Sequence, residues 1–289
     1  MLGSALRDAL EQRKAKLIQL VRRDPAGREE LRWDPHAPAP VAQPEALEGI
    51  DAAIHLSGAN LAAHRWTPQY LREVTASRVD STRAMATMLA RLRRPPQSLL
   101  VASAVGIYGN RGDEVLDETS GAGSGLLADL CRAWEAASAP AADAGIRVVH
   151  LRFGVVLAAR SGALAKMLPI FKLGIGGRLG SGKQWMSWIS VTDLVAATLF
   201  VLDSASLTGP VNLTSPQPVT NADFTRALAR QLHRPALFPA PAFALRLALG
   251  RMADEALLSS TRVVPEKLLH AGFLFAHASI EDALKQVVG

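Results

Sequence analysis

MLGSALRDALEQRKAKLIQLVRR, residues 1–23, decides how the rest of the chain is read. Leu2, Leu6, Ala9 and Leu10 recur at helical spacing, so a helix starts almost at the first residue. An apolar stretch, Leu17–Val21, follows and ends on Arg22-Arg23. Helix and then short apolar strand make the second half of a strand–loop–helix–strand unit. The pattern asks for a strand ahead of it.

The alternation continues downstream. Ala52–Leu56 (AAIHL) is a short apolar run ending in Ser57-Gly58-Ala59-Asn60, and a long helical stretch runs from about Pro68 to Arg93, stopped by Pro95-Pro96. Ser98–Ala102 (SLLVA) reads as a strand ending at Ser103, Gly125–Ala137 as a helix and Arg147–Leu151 (RVVHL) as a strand. Asp193–Leu202 is helical and Val211–Leu213 a short strand. Strands alternating with helices predict an α/β fold, a doubly wound parallel sheet of the Rossmann type. The pattern changes after Val156. Gly174–Gly182 has five glycines in nine residues and reads as loop, and from Asn221 the chain is mainly helical. The expected division is a sheet-bearing domain over 1–220 lacking its first strand, whose regular alternation breaks over 155–190. A smaller, mainly helical lobe follows over 221–289.

Composition narrows the function. The 289 residues carry 32 Lys and Arg against 26 Asp and Glu, a net charge of +6, yet no run of five basic residues forms a nucleic-acid tail. A single anionic cofactor is the more economical use of local basic clusters. One cysteine, Cys131, excludes an intrachain disulfide and a cysteine-built zinc site, and the seven histidines show no ligand spacing. No metal is expected. No apolar run reaches spanning length and the start lacks a leader pattern, so a cytoplasmic protein without nucleic-acid or membrane partners is expected.

In open parallel sheets ligands bind beyond the carboxyl ends of the strands. Arg22-Arg23 stand at such an end, where arginine suits the 2′-phosphate of NADP; the plainer reading is two solvated arginines. Ser57-Gly58 either lets the backbone approach a ligand closely or simply makes a turn. Ser103 and Tyr108 either face the crevice or hydrogen-bond locally. GGRLGSGKQW (176–185) imitates a phosphate loop, but Gln184 stands where the magnesium-binding Ser or Thr is needed, so an NTPase is rejected.

HLSGANLAAHRWTPQYLREVTASRVDSTRAM (55–85), SAVGIYGNRGDE (103–114), LLADLCRAWEAA (126–137), LRFGVVL (151–157) and GSGKQWMSWISVTDLV (180–195) together resemble one family. It is the atypical extended short-chain dehydrogenase/reductases, in the NAD-dependent epimerase/dehydratase-like "epimerase family" subgroup. PVTNADFTRALARQL (218–232) and RVVPEKLLHAGF (262–273) are similar to the small helical domain that ends those proteins. The resemblance implies a Rossmann fold whose 1–220 domain binds a dinucleotide, with 155–190 contributing to the substrate lobe, NADP as cofactor, a small-molecule substrate without assignment, and a monomer or homodimer. It places Gly3, Leu56, Ser57, Gly58, Glu73, Arg78, Ser103, Arg152 and Phe153 on the cofactor side with Arg22 and Arg23. Tyr108, Trp185, Ser187 and Trp188 fall on the substrate side, where aromatics stack on a ring or pack between lobes.

Two departures from the family stand out. Relatives begin with a strand and T-G-x-x-G-[FL]-[IL]-G, of which only the last glycine is present, as Gly3. About ten residues, the first strand and its phosphate loop, are missing, and a start codon assigned too far downstream is the expected cause. Relatives of the wider superfamily use Tyr-x-x-x-Lys for proton transfer, whereas Leu127 and Cys131 occupy those positions here. Cys131 is either a thiol in the active crevice or, on the plainer reading, a small buried hydrophobe. The expected function is an NADP(H)-binding oxidoreductase or epimerase-like protein; the alternative is a catalytically silent NADP-binding regulatory or interaction protein.

Overall fold

The computed structural model describes residues 2–289. Helix α1 (Leu2–Gln12) buries Leu6 and presents its polar side to solvent. Strand β1 (Gln19–Val21) pairs in parallel with β2 (Glu30–Arg32), Leu20 opposite Leu31. Then come β3 (Ala52–His55), α2 (Pro68–Ala90), β4 (Ser98–Ala104), a 3-10 turn over Val105–Tyr108, and β5 (Val115–Leu116). Helices α3 (Leu126–Ala136) and α4 (Ala139–Asp143) lead to β6 (Arg147–Phe153), β7 (Val155–Leu157) and α5 (Gly162–Lys172). Next are β8 (Trp185–Met186), β9 (Trp188–Ser190), α6 (Val191–Asp203), β10 (Gly209–Leu213) and β11 (Val219–Thr220). Helices α7 (Asn221–Gln231) and α8 (Ala242–Leu249), a π-helical turn at Ala253–Leu257, β12 (Arg262–Val263), α9 (Glu266–His270) and α10 (Ile280–Val288) complete the chain.

The expected parallel sheet is present, with strand order β10-β6-β4-β3. Parallel neighbours need crossovers, which α2, α3 with α4, and α6 supply. In β4, Leu99 and Val101 pack with Met85, Leu89 and Trp134 on one face, while Leu100 packs with Leu194, Ala197 and Val201 on the other. Successive side chains leave a strand on opposite faces, and both faces are covered; hence the unbroken apolar run SLLVA. Leu20 and Leu31 of the β1–β2 ladder join the core cluster that contains Leu99 and Val101. Among the described residues no ladder joins β1 to β3, so the winding is carried by two ladders on one core.

Helix starts follow from local chemistry. Thr67 accepts the Tyr70 N–H ahead of Pro68, and Ser190, Thr220 and Ser279 cap α6, α7 and α10 in the same way. The glycine-rich loop is explained by close backbone approach: a Cβ on Gly177 would lie 2.1 Å from the Phe238 carbonyl oxygen. The segment 176–180 lies against 238–240, with Phe238 N–H on Gly176 and Ala240 N–H on Arg178.

The chain after Asn221 is stitched into the rest. β12 pairs with β5, and α10 packs on α7. The buried Asp193 carboxylate accepts the N–H groups of Ala276 (2.8 Å) and His277 (3.0 Å), tying the last segment to the first turn of α6. His55, at the end of β3, is sealed in the core with Nε2 3.1 Å from the Ser81 hydroxyl, and burial pushes its pKa from 6.5 to about 4. The folded protein keeps this ring neutral while the unfolded chain protonates it near pH 6.5. Stability is therefore complete above that pH and falls as the pH drops toward 4, by about 3 kcal/mol for a shift of this size. Unfolding by urea across pH 4–7 should show this decline, and His55→Gln should flatten it; an equally steep decline in the variant would refute the assignment.

Candidate functional site

The parallel strands deliver Ser57-Gly58, Ser103, Arg152-Phe153 and Asn212-Leu213 to one edge of the sheet. The best-ordered chemistry there is a buried polar network. Arg152 donates from Nε (2.8 Å) and one terminal nitrogen (2.9 Å) to the two carboxylate oxygens of Glu135 on α3, and the Ser103 hydroxyl donates to the same carboxylate at 2.7 Å. The other terminal nitrogen of Arg152 donates to the Tyr108 hydroxyl (2.9 Å), which donates to the Asn212 side-chain oxygen (2.8 Å). Glu118 closes the network by accepting the Asn212 N–H at 2.9 Å.

Electrostatics follow from this packing. Burial opposes ionisation of Glu135, but the forked hydrogen bonds and charge of Arg152, with His150 nearby, outweigh it and hold the carboxyl below its usual range. Arg152 is raised in turn: its pairing with Glu135 overcomes the burial penalty. Burial pushes Tyr108 up despite Arg152, and pushes the Cys131 thiol up to about 12, so that thiol stays protonated and inert.

Beside the network lies a cavity of about 230 Å³, bordered by Gly106, Asn110, Ser124, Leu127, Glu255 and Thr261. Leu127 and Cys131 face Gly106: a Cβ there would lie 3.5 Å and 3.9 Å from them. Gly125 precedes α3 and offers no capping side chain, so Glu255 does the work instead. Its carboxylate accepts the N–H groups of Leu126 (3.1 Å) and Leu127 (3.2 Å). A larger hollow of about 990 Å³, between the 35–48 loop and the back of α2, opens at the amino ends of β3 and β4, away from this edge.

The expected site residues fall into three groups. Ser57 and Gly58 are exposed at the strand edge, with Leu56 half-buried; Arg22 is exposed and, among the described residues, has no ion-pair partner. Arg23 is instead committed to Glu30 by a fork of 2.5 and 2.7 Å. Gly3 lies in the first turn of α1 with open space around it, and Glu73 is exposed on α2. A second group is buried and bonded: Ser103, Arg152 and Tyr108 in the network, half-buried Phe153 against the core, and Arg78 beneath Gly58. Arg78 donates to the Ala59 (3.0 Å) and Val74 (3.2 Å) carbonyls and lies over the Trp134 ring. The third group packs between body and C-terminal segment. Trp188 is fully buried with its indole N–H on the Gln217 carbonyl, and Ser187 bonds the Thr261 carbonyl. Trp185 is half-buried, its N–H on Asp113 and the Arg262 guanidinium over its ring.

Glu135, Asn212, Glu118 and Glu255 were missed. Glu135 alone had a signal, standing four and eight residues after Cys131 and Leu127 on one helical face. Ser190, His277 and Asp193 share a cluster, but His277 turns the same ring nitrogen to both Ser190 (3.1 Å) and Asp193 (3.3 Å). A proton relay needs the two ring nitrogens on different partners, so this cluster is a staple.

Parallel strands wound by helices on both faces, with polar groups gathered at their carboxyl edge, define a protein of the Rossmann class. The chain belongs to the NAD dependent epimerase/dehydratase family, whose model matches residues 1–213; a domain of unknown function matches 240–287. It is 45% identical to an epimerase family protein of Mycobacterium bovis over 98% of this chain and 93% of the relative. To the Bacillus subtilis epimerase family protein YfhF it is 34% identical, over 89% of this chain and 84% of that one. The crystal structure of the human epimerase family protein SDR39U1 with NADPH superimposes with a TM-score of 0.90, at 30% identity, covering 99% of this chain and 95% of that one.

Removing the charge of Glu135 would leave Arg152 buried against a neutral partner. Glu135→Gln is expected to lower the unfolding free energy by about 3 kcal/mol, the low end for breaking a buried pair. Urea unfolding at neutral pH tests this, and a change below about 0.5 kcal/mol would show that the pair is dispensable.

Proposed function

We propose that the protein binds NADP(H) along the strand edge and carries out an oxidoreductase or epimerase-like reaction on a small molecule held in the cavity beside Gly106. Arg22 carries the cofactor preference. Arg23 is neutralised by Glu30 and Arg32 by Asp24, so among the described residues Arg22 is the cation left free at the carboxyl end of β1. The edge also suits a flat, phosphorylated group: Gly58 is exposed, and a Cβ there would press to 3.2 Å on the Arg78 guanidinium. The human relative crystallised with NADPH supports the same choice. When bound, the nicotinamide supplies or accepts a hydride.

The chain's own residues constrain the proton. Tyr108 and Tyr70 are both buried, with hydroxyls committed to Asn212 and to the Asn60 carbonyl. Proton transfer would therefore fall to the wall of the cavity. The same burial favours the second reading, a catalytically silent NADP-binding protein.

Losing one charge-assisted phosphate contact should weaken NADPH about ten- to a hundredfold in Arg22→Ala while leaving NADH nearly unchanged. Calorimetric titration of both cofactors checks this. Equal affinities for the two in the wild type would sink the reading.

NADPH oxidation against a panel of carbonyl compounds and nucleotide sugars separates the two readings: turnover supports the enzyme, and bound but unconsumed NADPH supports the silent protein. Where turnover is found, Tyr108→Phe should cost less than about tenfold in kcat, well short of the hundredfold or more that a general acid contributes. A hundredfold loss with cofactor binding intact would assign the proton to this phenol.

A further inference from the structure

The excess positive charge of this protein is not spread over it. Between Asp143 and Asp193, and again between Asp223 and Asp254, the sequence has no acidic residue. Lys166, Lys172, Arg178 and Lys183 lie in the first interval, on α5 and the loop after it, and Arg234, Arg246 and Arg251 lie in the second, on or beside α8. All seven are exposed, and only Arg246 has an ion-pair partner among the described residues, in Asp254. The rest of the chain holds 25 basic residues against 26 acidic ones, close to neutral.

The same two segments are joined into one surface. Ile175 bridges Ala236, Leu179 bridges Ala240, and Gly180 N–H donates to Ala240; α8 starts two residues later. That surface is also where large apolar side chains stand out: Leu173, Ile175, Leu237, Phe238, Phe243 and Leu247 are 52–77% exposed. Helix α8, AFALRLAL, buries no residue at all. Soluble surfaces rarely group so many bare apolar side chains, and such grouping marks an interaction site.

Two features choose the occupant. A second copy meeting this face about a two-fold axis would set seven cations against seven, which disfavours self-association. A nucleic acid would satisfy the cations but offer no apolar phase to leucine and phenylalanine. An anionic bilayer offers both, phosphate-bearing headgroups for the cations and acyl chains just beneath them for the apolar side chains. We propose that the α5–α8 face docks on an anionic lipid surface, with Phe243 and Leu247 entering the interface and Lys172, Arg178, Arg234 and Arg251 around them. This is binding in the plane of the surface: no described helix is long and apolar enough to cross a membrane. It differs from the sequence expectation of no membrane partner, which rested on the lack of a spanning run.

The full chain would be sedimented with vesicles of phosphatidylcholine alone or mixed with phosphatidylglycerol. Binding is expected only to the anionic vesicles and should fall as salt is raised. Phe243→Gln with Leu247→Gln, both exposed and so compatible with folding, should weaken it about tenfold or more, as should Lys172→Gln with Arg251→Gln. Circular dichroism confirms that each variant is folded. Failure of the wild type to bind anionic vesicles, equal binding to neutral ones, or unweakened variants would overturn the proposal. Retention on polyglutamate without vesicle binding would assign the face to an acidic protein, and a dimer lost in Phe243→Gln/Leu247→Gln without vesicle binding would assign it to a second copy.

Discussion

A guanidinium and a carboxylate held together out of water set the geometry of the strand edge. Each ion alone would be expelled from such a site, and together they are tolerable because Arg152 meets both oxygens of Glu135 in a fork. That requirement fixes α3 against β6. Ser103 at the end of β4, Tyr108 in the turn after it and Asn212 on β10 then take up the remaining donors and acceptors. Five elements are thereby aligned by one polar network whose members satisfy one another. A partly satisfied network there would cost more than an apolar floor.

The elements that shape the core were legible from pattern alone, because a strand covered on both faces must be apolar throughout. SLLVA and RVVHL show this directly. Glu30–Arg32 did not, since ELR is a short, half-covered strand whose polar residues carry no period. Helix α5 was hidden by the glycines that follow it and by Pro169 within it, although Leu164, Leu168 and Phe171 fall on one helical face. The partners of the polar network were invisible for another reason. Tyr108 and Asn212 are 104 residues apart, and nothing local in either segment announces the other. Likewise Arg22 and Arg23 are equivalent in sequence, and only the course of the 22–29 loop brings one of them within reach of Glu30.

The C-terminal segment is held by an apolar seam, in which Trp188 and Leu164 pack with Phe224, Leu228 and Leu284, and by hydrogen bonds to backbone. The Ser187 hydroxyl accepts the Val263 N–H and donates to the Thr261 carbonyl, and Gln184 donates to the Leu179 and Leu257 carbonyls. Such contacts hold position closely but add little hydrophobic free energy each. Motion of the C-terminal segment against the sheet is therefore resisted both by packing and by hydrogen-bond geometry.

The Asp193 staple has a consequence during synthesis. Its carboxylate, buried in the first turn of α6, accepts backbone N–H groups from Ala276 and His277, more than eighty residues later. At translation rates of roughly 5–20 residues per second, the nascent sheet waits several seconds with a desolvation-prone carboxylate still open to water. The segment around Ala276 thus acts as a latch applied after the sheet is already made.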